Sequence, residues 1–269
     1  MHALTVDLEE WYHGLELPRD RWPTTSRLRL GLDPLLALLQ THGIKGTFFV
    51  LGVVAERSPE VVTELANEGH EIACHGHAHE FVYKQSPREF RDDVERARGA
   101  IGDIVGDAPR GYRAPYFSIR KDSIWALDIL ADLGFAYDSS IFPVHNYRYG
   151  IPDAPREPHR YETVSGAIQE LPLTPLRVAG ANLPFSGGAY LRILPWLVQR
   201  AAWSAATRRS MRVVSYIHPW ELDSEQPRIE LPRRVAATHY ARLRLTHRRL
   251  NRLFVRHQFG RLDHAFFVQ

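Results

Sequence analysis

The chain has 269 residues, of which 44% are hydrophobic and 24% are charged, and its formal net charge at pH 7 is +3. This composition is typical of an ordinary soluble globular protein, and the single cysteine, Cys74, excludes an internal disulfide. No apolar run approaches the roughly 20 residues of a membrane span, and the first residues lack a secretory signal pattern, so we predict a cytoplasmic protein.

Strand-like and helical runs alternate from the start of the chain to about Asp138. ALTVDLE alternates like a strand, and DPLLALLQTHG is a predicted helix with Asp33 as N-cap, Pro34 in its first position and Gly43 as its stop. GTFFVLG follows as a short apolar strand and SPEVVTELANEG as a helix capped by Ser58. HEIACHGHAH is a predicted strand that runs into a polar loop.

The second half of the alternation begins with a long helix, SPREFRDDVERARGAIGDIVG, which opens on the capping box Ser86 and Glu89. RGYRAPYFS, the helical KDSIWALDILADLG and FAYDSSIFP follow. After an irregular region, residues 144–161, AIQELPLT and RVVSYIHPWEL are predicted strands. The alternation predicts parallel βαβ units in a (β/α) barrel or an open doubly wound sheet, where chemistry collects at the C-terminal ends of the strands.

The first strand end carries two carboxylates. Strand alternation puts Asp7 and Glu9 on one face, with Leu8 on the other. Such a pair suits a metal ligand beside a general base, although two solvated acids near the N-terminus would look the same.

A histidine cluster follows the third strand. His75 and His79 are four residues apart and can converge on one metal ion from a tight loop, whereas His77 would compete only in an extended segment. By itself the pair is weak evidence in a chain with 14 histidines. Cys74, beside it, fits a small buried hydrophobe better than a soft ligand.

Three later strand ends are also polar. Arg113 could hold a carboxylate or an anionic transition state, or form a surface ion pair, and Asp138 stands at the next strand end. His218 is placed to exchange protons near neutral pH, with a structural histidine as the alternative. Together with the two clusters above, these residue types suffice for metal-assisted hydrolysis.

One glycine-rich stretch, NLPFSGGAYLR, suggests a sugar contact. Ser186, Gly187 and Gly188 could let the backbone approach a sugar, on which Tyr190 and Trp220 would stack. A turn with core aromatic residues is an equally good interpretation.

Positive charge is concentrated after Asp223. Residues 224–269 contain ten arginines and three acids, whereas residues 1–223 contain 24 basic and 28 acidic side chains. We predict a domain of residues 1–223 and a basic extension of residues 224–269 with a helix whose arginine face is solvated. Its apolar face is Tyr240, Leu243, Thr246, Leu250 and Leu253. Peripheral membrane contact through this tail is an alternative, and we expect no nucleic-acid partner.

The order and spacing of the clusters resemble the NodB-type polysaccharide deacetylases, carbohydrate esterase family 4. TVDLEEW is similar to the family's first motif, HGHAH to its His-(Ser/Thr)-x-x-His motif and RAPY to its arginine motif. YDSS and YIHP are similar to the fourth and last motifs. The stretches ELPLTPLRVAGANLPFSGGAYLRILP, HPWELDSEQPRI and FGRLDHAFF further resemble the deacetylases that accompany exosortase-linked (PEP-CTERM) exopolysaccharide gene clusters.

The resemblance implies a distorted (β/α) barrel with the basic helical extension packed on the same domain. It also implies removal of acetyl groups from N-acetylated amino sugars of a polysaccharide or lipid-linked oligosaccharide, with a divalent metal, Zn²⁺ before others. The implied roles are Asp7 as general base, His218 as general acid, Arg113 to orient Asp7, Asp138 to support His218, the Tyr116 N–H on the oxyanion, and His75, His79 and Glu9 as metal ligands.

Two departures from the family pattern stand out. Leu8 occupies the place of the family's second aspartate, so Glu9 becomes the third ligand, with Glu10 as the alternative. Gly76 replaces the usual Ser or Thr between the histidines. An allantoinase-like amidase on the same barrel and a catalytically silent saccharide-binding protein are the rival functions, and the paired histidines with Asp7 argue against both.

Overall fold

The computed structural model describes residues 1–267 of the chain. In that part the strands are β1 (His2–Leu8), β2 (Thr47–Val50), β3 (Glu71–Cys74), β4 (Gly111–Tyr112), β5 (Tyr137–Asp138), β6 (His159–Thr163), β7 (Gly166–Glu170), β8 (Pro175–Val178), β9 (Ala181–Pro184), β10 (Val214–Ile217) and β11 (Phe259–Gly260). The α-helices are α1 (Leu28–Thr41), α2 (Gly52–Arg57), α3 (Pro59–Asn67), α4 (Pro87–Val105), α5 (Ala126–Asp132), α6 (Gly188–Ile193), α7 (Trp196–Arg208), α8 (Arg233–His239), α9 (Thr246–Phe254) and α10 (Leu262–Phe266).

The chain forms two compact units. The terminal unit comprises residues 1–46 and the described residues from 185 on, and the central unit comprises residues 47–184. In the terminal unit β1 runs parallel to both β10 and β11, with Val6 level with Ile217. Every residue of β1 and β10 is buried, as expected for strands covered by side chains on both faces.

The central unit is built on a sheet in which β2, β3, β4, β5 and β7 pair in that order, all parallel. The edge strand β6 is antiparallel to β7. These parallel pairings confirm the βαβ units predicted from the alternating pattern. A separate hairpin, β8 with β9, was not predicted, because its turn residues Ala179 and Gly180 lack the usual Asn-Gly signal. Both adopt positive φ, which is what a two-residue hairpin turn of type I′ requires.

The first helix begins earlier than its capping pattern predicts. It starts at Leu28, so Asp33 is not its N-cap and Pro34 lies inside it. Leu28, Leu32 and Leu35 are buried along one face. Burial of that face upstream of Pro34 outweighs the backbone hydrogen bond that the proline removes. Gly43 ends the helix as predicted, with a φ of +63°.

The two other predicted helix caps differ in whether the capping hydrogen bonds form. The capping box of Ser86 and Glu89 at the start of α4 is confirmed, with both reciprocal hydrogen bonds present. Ser58 does precede α3, but its side chain makes no capping hydrogen bond.

The basic segment is not one continuous helix. Arg242 has a φ of +53°, and this left-handed residue separates α8 from α9. The predicted apolar face persists through the break, since Leu243, Thr246 and Leu250 are buried. The segment packs within the terminal unit, where Nε2 of His42 in the loop after α1 lies 2.7 Å from Oδ1 of Asn251. Across residues 1–267 no helix is long and apolar enough to cross a bilayer.

Candidate functional site

In the terminal unit, two neighbouring parallel strands deliver an acid–base group. Asp7 and Glu9 stand at the end of β1 and His218 directly after β10; both carboxylates are buried. Nε2 of His218 lies 3.7 Å from Oδ2 of Asp7 and 4.0 Å from Oε1 of Glu9. Because one donor atom from each of these residues lies within 4.8 Å of the others, the three form a candidate cation-binding group as well as an acid–base group.

The Glu10 carboxylate forms hydrogen bonds at the start of α1. Oε1 accepts a hydrogen bond from the Ser26 hydroxyl, and Oε2 accepts one of 3.1 Å from the backbone N–H of Arg27. The carboxylate is therefore used at the start of α1, where backbone N–H groups lack helical partners. Of the two alternatives for a third ligand, this geometry favours Glu9.

His218 is held by a carboxylate that the sequence analysis missed. Nδ1 of His218 lies 2.8 Å from Oε1 of Glu221, and Nε of Arg192 donates to the other oxygen of Glu221 at 2.5 Å. Support of His218 was predicted for Asp138, whereas the carboxylate that contacts Nδ1 is that of Glu221. The motif HPWEL carried the signal, because a glutamate three residues after a histidine at the start of a helical turn can reach back to it.

The charges of this group follow from its surroundings. Burial lowers the pKa of His218, but the carboxylates of Glu9, Glu221 and Asp7 outweigh burial and raise that pKa to about 9. Burial also opposes the charge of Glu221, yet Arg192 and His218 together hold its pKa below the usual value. His218 is therefore an imidazolium beside carboxylates, a form that can donate a proton.

In the central unit, the loop after β3 brings two histidine rings together. The ring centroids of His75 and His79 lie 5.6 Å apart, and both side chains are buried. Gly76 and His79 both have positive φ, which turns the loop sharply enough for this approach. Nδ1 of His75 donates to the carbonyl of Arg113 at 2.8 Å, so Nε2 is the nitrogen that can act as a ligand.

The other residues of the histidine cluster point to structural roles. Nε2 of His77 lies 3.1 Å from Oε1 of Glu56, and its backbone N–H donates to Asp93. Cys74 is buried, and burial raises the pKa of its thiol to about 12. A protonated thiol is a poor metal ligand, which agrees with the prediction of a small buried hydrophobe.

Arg113 and Asp138 lie in a buried polar cluster of the central unit. Nε of Arg113 donates to the carbonyl of Ser139, and Asp138 accepts from the backbone and the hydroxyl of Ser140, at 3.0 and 2.6 Å. Glu170, which the sequence analysis missed, shares a hydrogen bond with Asp138. Burial and the neighbouring Asp138 raise the pKa of Glu170 well above its usual value, so Glu170 is the protonated partner.

Tyr116 sits in a strained turn directly after Pro115. Its φ is +57°, and that of Phe117 is +53°. The Tyr116 ring stacks on Phe81 with centroids 4.0 Å apart and lies 4.4 Å from the His79 ring. Left-handed backbone at non-glycine residues concentrates at functional sites, and these aromatic contacts hold the turn in place.

The predicted sugar-contact residues are found in more ordinary packing. The carbonyl of Ser186 accepts from the Ser215 hydroxyl, and Gly187 lies against the backbone of Tyr216 so closely that a Cβ would clash. Tyr190 is partly exposed. Trp220 stacks on His218, with centroids 5.1 Å apart. The close approach of backbone at Gly187 is thus explained by the neighbouring strand.

The chain is similar to known proteins in both sequence and fold. A family model described as polysaccharide deacetylase matches residues 29–137, and one described as a domain of unknown function (DUF3473) matches residues 139–267. A peptidoglycan-N-acetylglucosamine deacetylase of Bacillus cereus is 35% identical over 95 residues, which are 35% of this chain and 34% of that protein. A chitooligosaccharide deacetylase of Bradyrhizobium sp. is 37% identical over 98 residues, 36% of this chain and 42% of that protein. The chain thus spans between about a third and two fifths of the length of these relatives.

Solved structures share the fold over nearly the whole chain. A candidate polysaccharide deacetylase from Mycobacterium smegmatis has a TM-score of 0.64 at 23% identity, covering 96% of this chain and 85% of that one. A carbohydrate esterase family 4 pseudoenzyme from Bacillus anthracis has a TM-score of 0.52 at 13% identity, covering 100% and 66%. The predicted α/β fold of the NodB type is confirmed. Since an inactive protein shares the fold, activity must be argued from the site residues.

Proposed function

We propose that the chain is a polysaccharide deacetylase, a metal-dependent hydrolase that removes N-acetyl groups from amino sugars. The observation that carries this proposal is the placement of Asp7 next to a His218 that Glu221 holds by Nδ1. A carboxylate and an imidazolium side by side provide a general base and a general acid for amide hydrolysis. The deacetylases that match part of the sequence act on glycans of the same chemical class.

We propose Glu9, His75 and His79 as the ligands of a divalent ion, with zinc as the metal. Two neutral imidazoles and a carboxylate are a usual ligand set for catalytic zinc. The hydrogen bond from His75 to the carbonyl of Arg113 supports this role, because it fixes the tautomer that leaves Nε2 for the metal. When bound, such an ion would polarise the acetyl carbonyl and lower the pKa of water.

The remaining chemistry belongs to the chain itself. Asp7 would take a proton from the attacking water, and His218 would give a proton from Nε2 to the departing amine. The backbone N–H of Tyr116, presented by its left-handed turn, would donate to the oxyanion. Arg113 would orient Asp7, as the family resemblance implies, and Asp138 would hold Arg113, because both side chains are buried and their charges attract each other.

The test is release of acetate from a panel of N-acetylated oligosaccharides, including chitooligosaccharides and peptidoglycan fragments, with metal content measured on the same preparation. Acetate release that depends on one equivalent of divalent metal is expected. Hydrolytic ring opening of a cyclic ureide, without acetate from any glycan, would instead favour the allantoinase-like amidase. Tight glycan binding without any turnover would favour the silent saccharide-binding protein.

For the biological substrate we propose an exopolysaccharide or its lipid-linked precursor. The support is the resemblance of the stretches from Glu170 to Pro195, from His218 to Ile229 and from Phe259 to Phe267 to exopolysaccharide-associated deacetylases. Trp220 and Tyr190, which retain exposed surface, would contact the sugar rings. Comparing turnover on polymer and on short oligosaccharides tests this choice.

We also propose that the basic surface of the terminal unit contacts an anionic membrane. Leu197 and Val198 are exposed on α7, and Arg252 of α9 and Arg256, which follows that helix, lie over the ring of Trp196. Neither α7 nor α9 contains an acidic residue. Apolar side chains with arginines around them suit a surface that meets lipid headgroups, and the anionic cytoplasmic leaflet offers the matching charge.

A further inference from the structure

We propose that Glu221 is the positioning residue of His218 and that Arg192, held by the carbonyl end of α8, keeps Glu221 in place as a carboxylate. This inference rests on the proposed function in one respect, the role of His218 as general acid. It gives a role to residues of the segment that matches a domain of unknown function.

The first step is the contact between Glu221 and the imidazole. Oε1 of Glu221 accepts from Nδ1 of His218 at 2.8 Å and from the backbone N–H of His218 at 3.1 Å. One oxygen thus fixes both the ring and the peptide that carries it. With Nδ1–H engaged, Nε2 is directed to the side where Asp7 lies, 3.7 Å away.

The second step is the counter-charge. Nε of Arg192 donates to Oε2 of Glu221 at 2.5 Å, and the side chains of the pair are 1% and 0% exposed. A carboxylate this deeply buried requires both a cation and hydrogen bonds to remain charged. Glu221 has all of these: the guanidinium on one oxygen and two N–H donors on the other.

The third step is what holds Arg192. Its NH1 donates to the carbonyls of His239 and Ala241, at 3.1 and 2.5 Å, and its NH2 donates to the carbonyl of Thr238, at 3.0 Å. These carbonyls lie at the C-terminal end of α8, where backbone oxygens lack helical partners and carry partial negative charge. The end of α8 therefore accepts hydrogen bonds from three of the four guanidinium N–H groups that Glu221 does not use.

Trp220, in the same segment as Glu221, packs on the face of the His218 imidazole. The Trp220 ring stacks on both His218 and His239, with centroid distances of 5.1 and 4.3 Å and interplanar angles of 23° and 18°. Nε2 of His239 is fixed in turn by Oε1 of Gln226 at 2.8 Å. The histidine is thus positioned by hydrogen bonding at Nδ1 and by packing on its face.

The test combines kinetics with nitrogen NMR of histidine-labelled full-length protein. Glu221→Gln is nearly isosteric and should lower kcat about 10- to 100-fold with little change in KM. In a His218→Asn background the same substitution should cause no further loss, because Glu221 acts through His218. Equal losses in both backgrounds would overturn the proposal and make Glu221 a merely structural residue.

Arg192 is tested with a matched control. Arg192→Met should lower both kcat and stability, and adding Glu221→Gln should restore stability by removing an unpaired buried charge. Arg249→Met is the control: Arg249 is another buried arginine, and its NH1 donates to the backbone carbonyls of Leu191, Arg192 and Leu194. It should lower stability with kcat largely kept. If Arg249→Met reduced kcat as strongly as Arg192→Met, the Arg192–Glu221 pair would have no special role.

The NMR readout separates this inference from the proposed function. In the wild-type protein the His218 signals, assigned by their loss in His218→Asn, should show a hydrogen-bonded Nδ1–H that Glu221→Gln weakens. This result is expected whether or not acetate is released. A His218 Nδ1 signal unchanged by Glu221→Gln would refute the positioning role even in an active enzyme, whereas absent turnover with the expected NMR change would refute only the deacetylase assignment.

Discussion

Oδ2 of Asp7 and Nε2 of His218 lie 3.7 Å apart, at the carboxyl ends of the neighbouring parallel strands β1 and β10. Their register follows from strand pairing, since Val6 and Ile217, the residues that precede them, are partners in the sheet. A base and an acid are thereby placed at the ends of two paired strands, and such regular elements position a catalytic pair more precisely than loops do.

The first prediction concerns Asp7. Asp7→Asn should lower kcat for acetate release by about 10²- to 10⁴-fold, because an amide cannot take the proton from water. The Asp7→Asn protein should still bind the metal. Glu10→Gln is the matched control: it alters the neighbouring carboxylate at the start of α1 and should lower the melting temperature with kcat kept. Near-wild-type turnover of Asp7→Asn would remove Asp7 from the role of base.

The second prediction concerns the metal. His79→Ala should lose stoichiometric metal, measured by elemental analysis after dialysis, together with activity. His77→Ala, two residues away, is the control, because Nε2 of His77 contacts the carboxylate of Glu56 and we do not assign His77 as a metal ligand. It should keep its metal and lose only stability. Metal retained by His79→Ala, or lost from His77→Ala alone, would reverse the assignment of the histidines.

The sequence predicted the site residues that strand ends bring together. Asp7 and His218 each end an apolar run, and parallel strands align such ends without further information. Glu221 and Arg192 could not be paired in this way. Arg192 lies on a short helix that was not predicted, and its contact with Glu221 depends on how α6 and α8 pack.

The prediction of a helix start was wrong where burial of apolar side chains competed with the local capping pattern. Asp33 and Pro34 have the pattern of a helix start, but Leu28 and Leu32 are buried upstream of them and extend α1. Local propensity is a weak preference that tertiary packing overrides. The break at Arg242 was unpredictable for the opposite reason, because an arginine gives no sign of a left-handed backbone.

The third prediction concerns Glu170 and pH. Its pKa is raised in the folded state, so the native protein keeps a proton that the unfolded chain releases above about pH 4.5, the usual value. Stability from this group is therefore greatest at low pH and declines as pH rises. Glu170→Gln keeps a neutral donor to Asp138 and removes that decline. Its melting temperature relative to wild type should rise between pH 5 and pH 8, whereas the surface control Glu162→Gln should show no such trend.

The fourth prediction concerns His239. Burial, followed by the charge of Arg192, lowers the pKa of His239 from 6.5 to about 3. Below pH 6.5 His239 is protonated in the unfolded chain but stays neutral in the folded protein, so stability is lost as pH falls. From pH 7.5 to pH 5 the loss due to this group is about 2 kcal/mol. His239→Phe keeps a ring on Trp220. In urea unfolding, its free energy of unfolding should fall by about 2 kcal/mol less than that of the wild type between pH 7.5 and pH 5. An identical pH slope in both proteins would mean that His239 is protonated in the fold.

The last prediction concerns the basic surface of α7 and α9. Wild-type protein should co-sediment with vesicles containing phosphatidylserine and not with phosphatidylcholine vesicles, and added salt should weaken binding because headgroup attraction is screened. Leu197→Asp should abolish binding, since it places a charge where an apolar side chain would enter the interface. Arg252→Glu with Arg256→Glu should do so by charge reversal. Val164→Asp is the control: Val164 is another exposed apolar residue, 96% accessible, at the turn between β6 and β7 of the central unit. Equal binding to both vesicle types, or loss in the Val164→Asp protein as large as in Leu197→Asp, would show that this surface does not recognise anionic lipid.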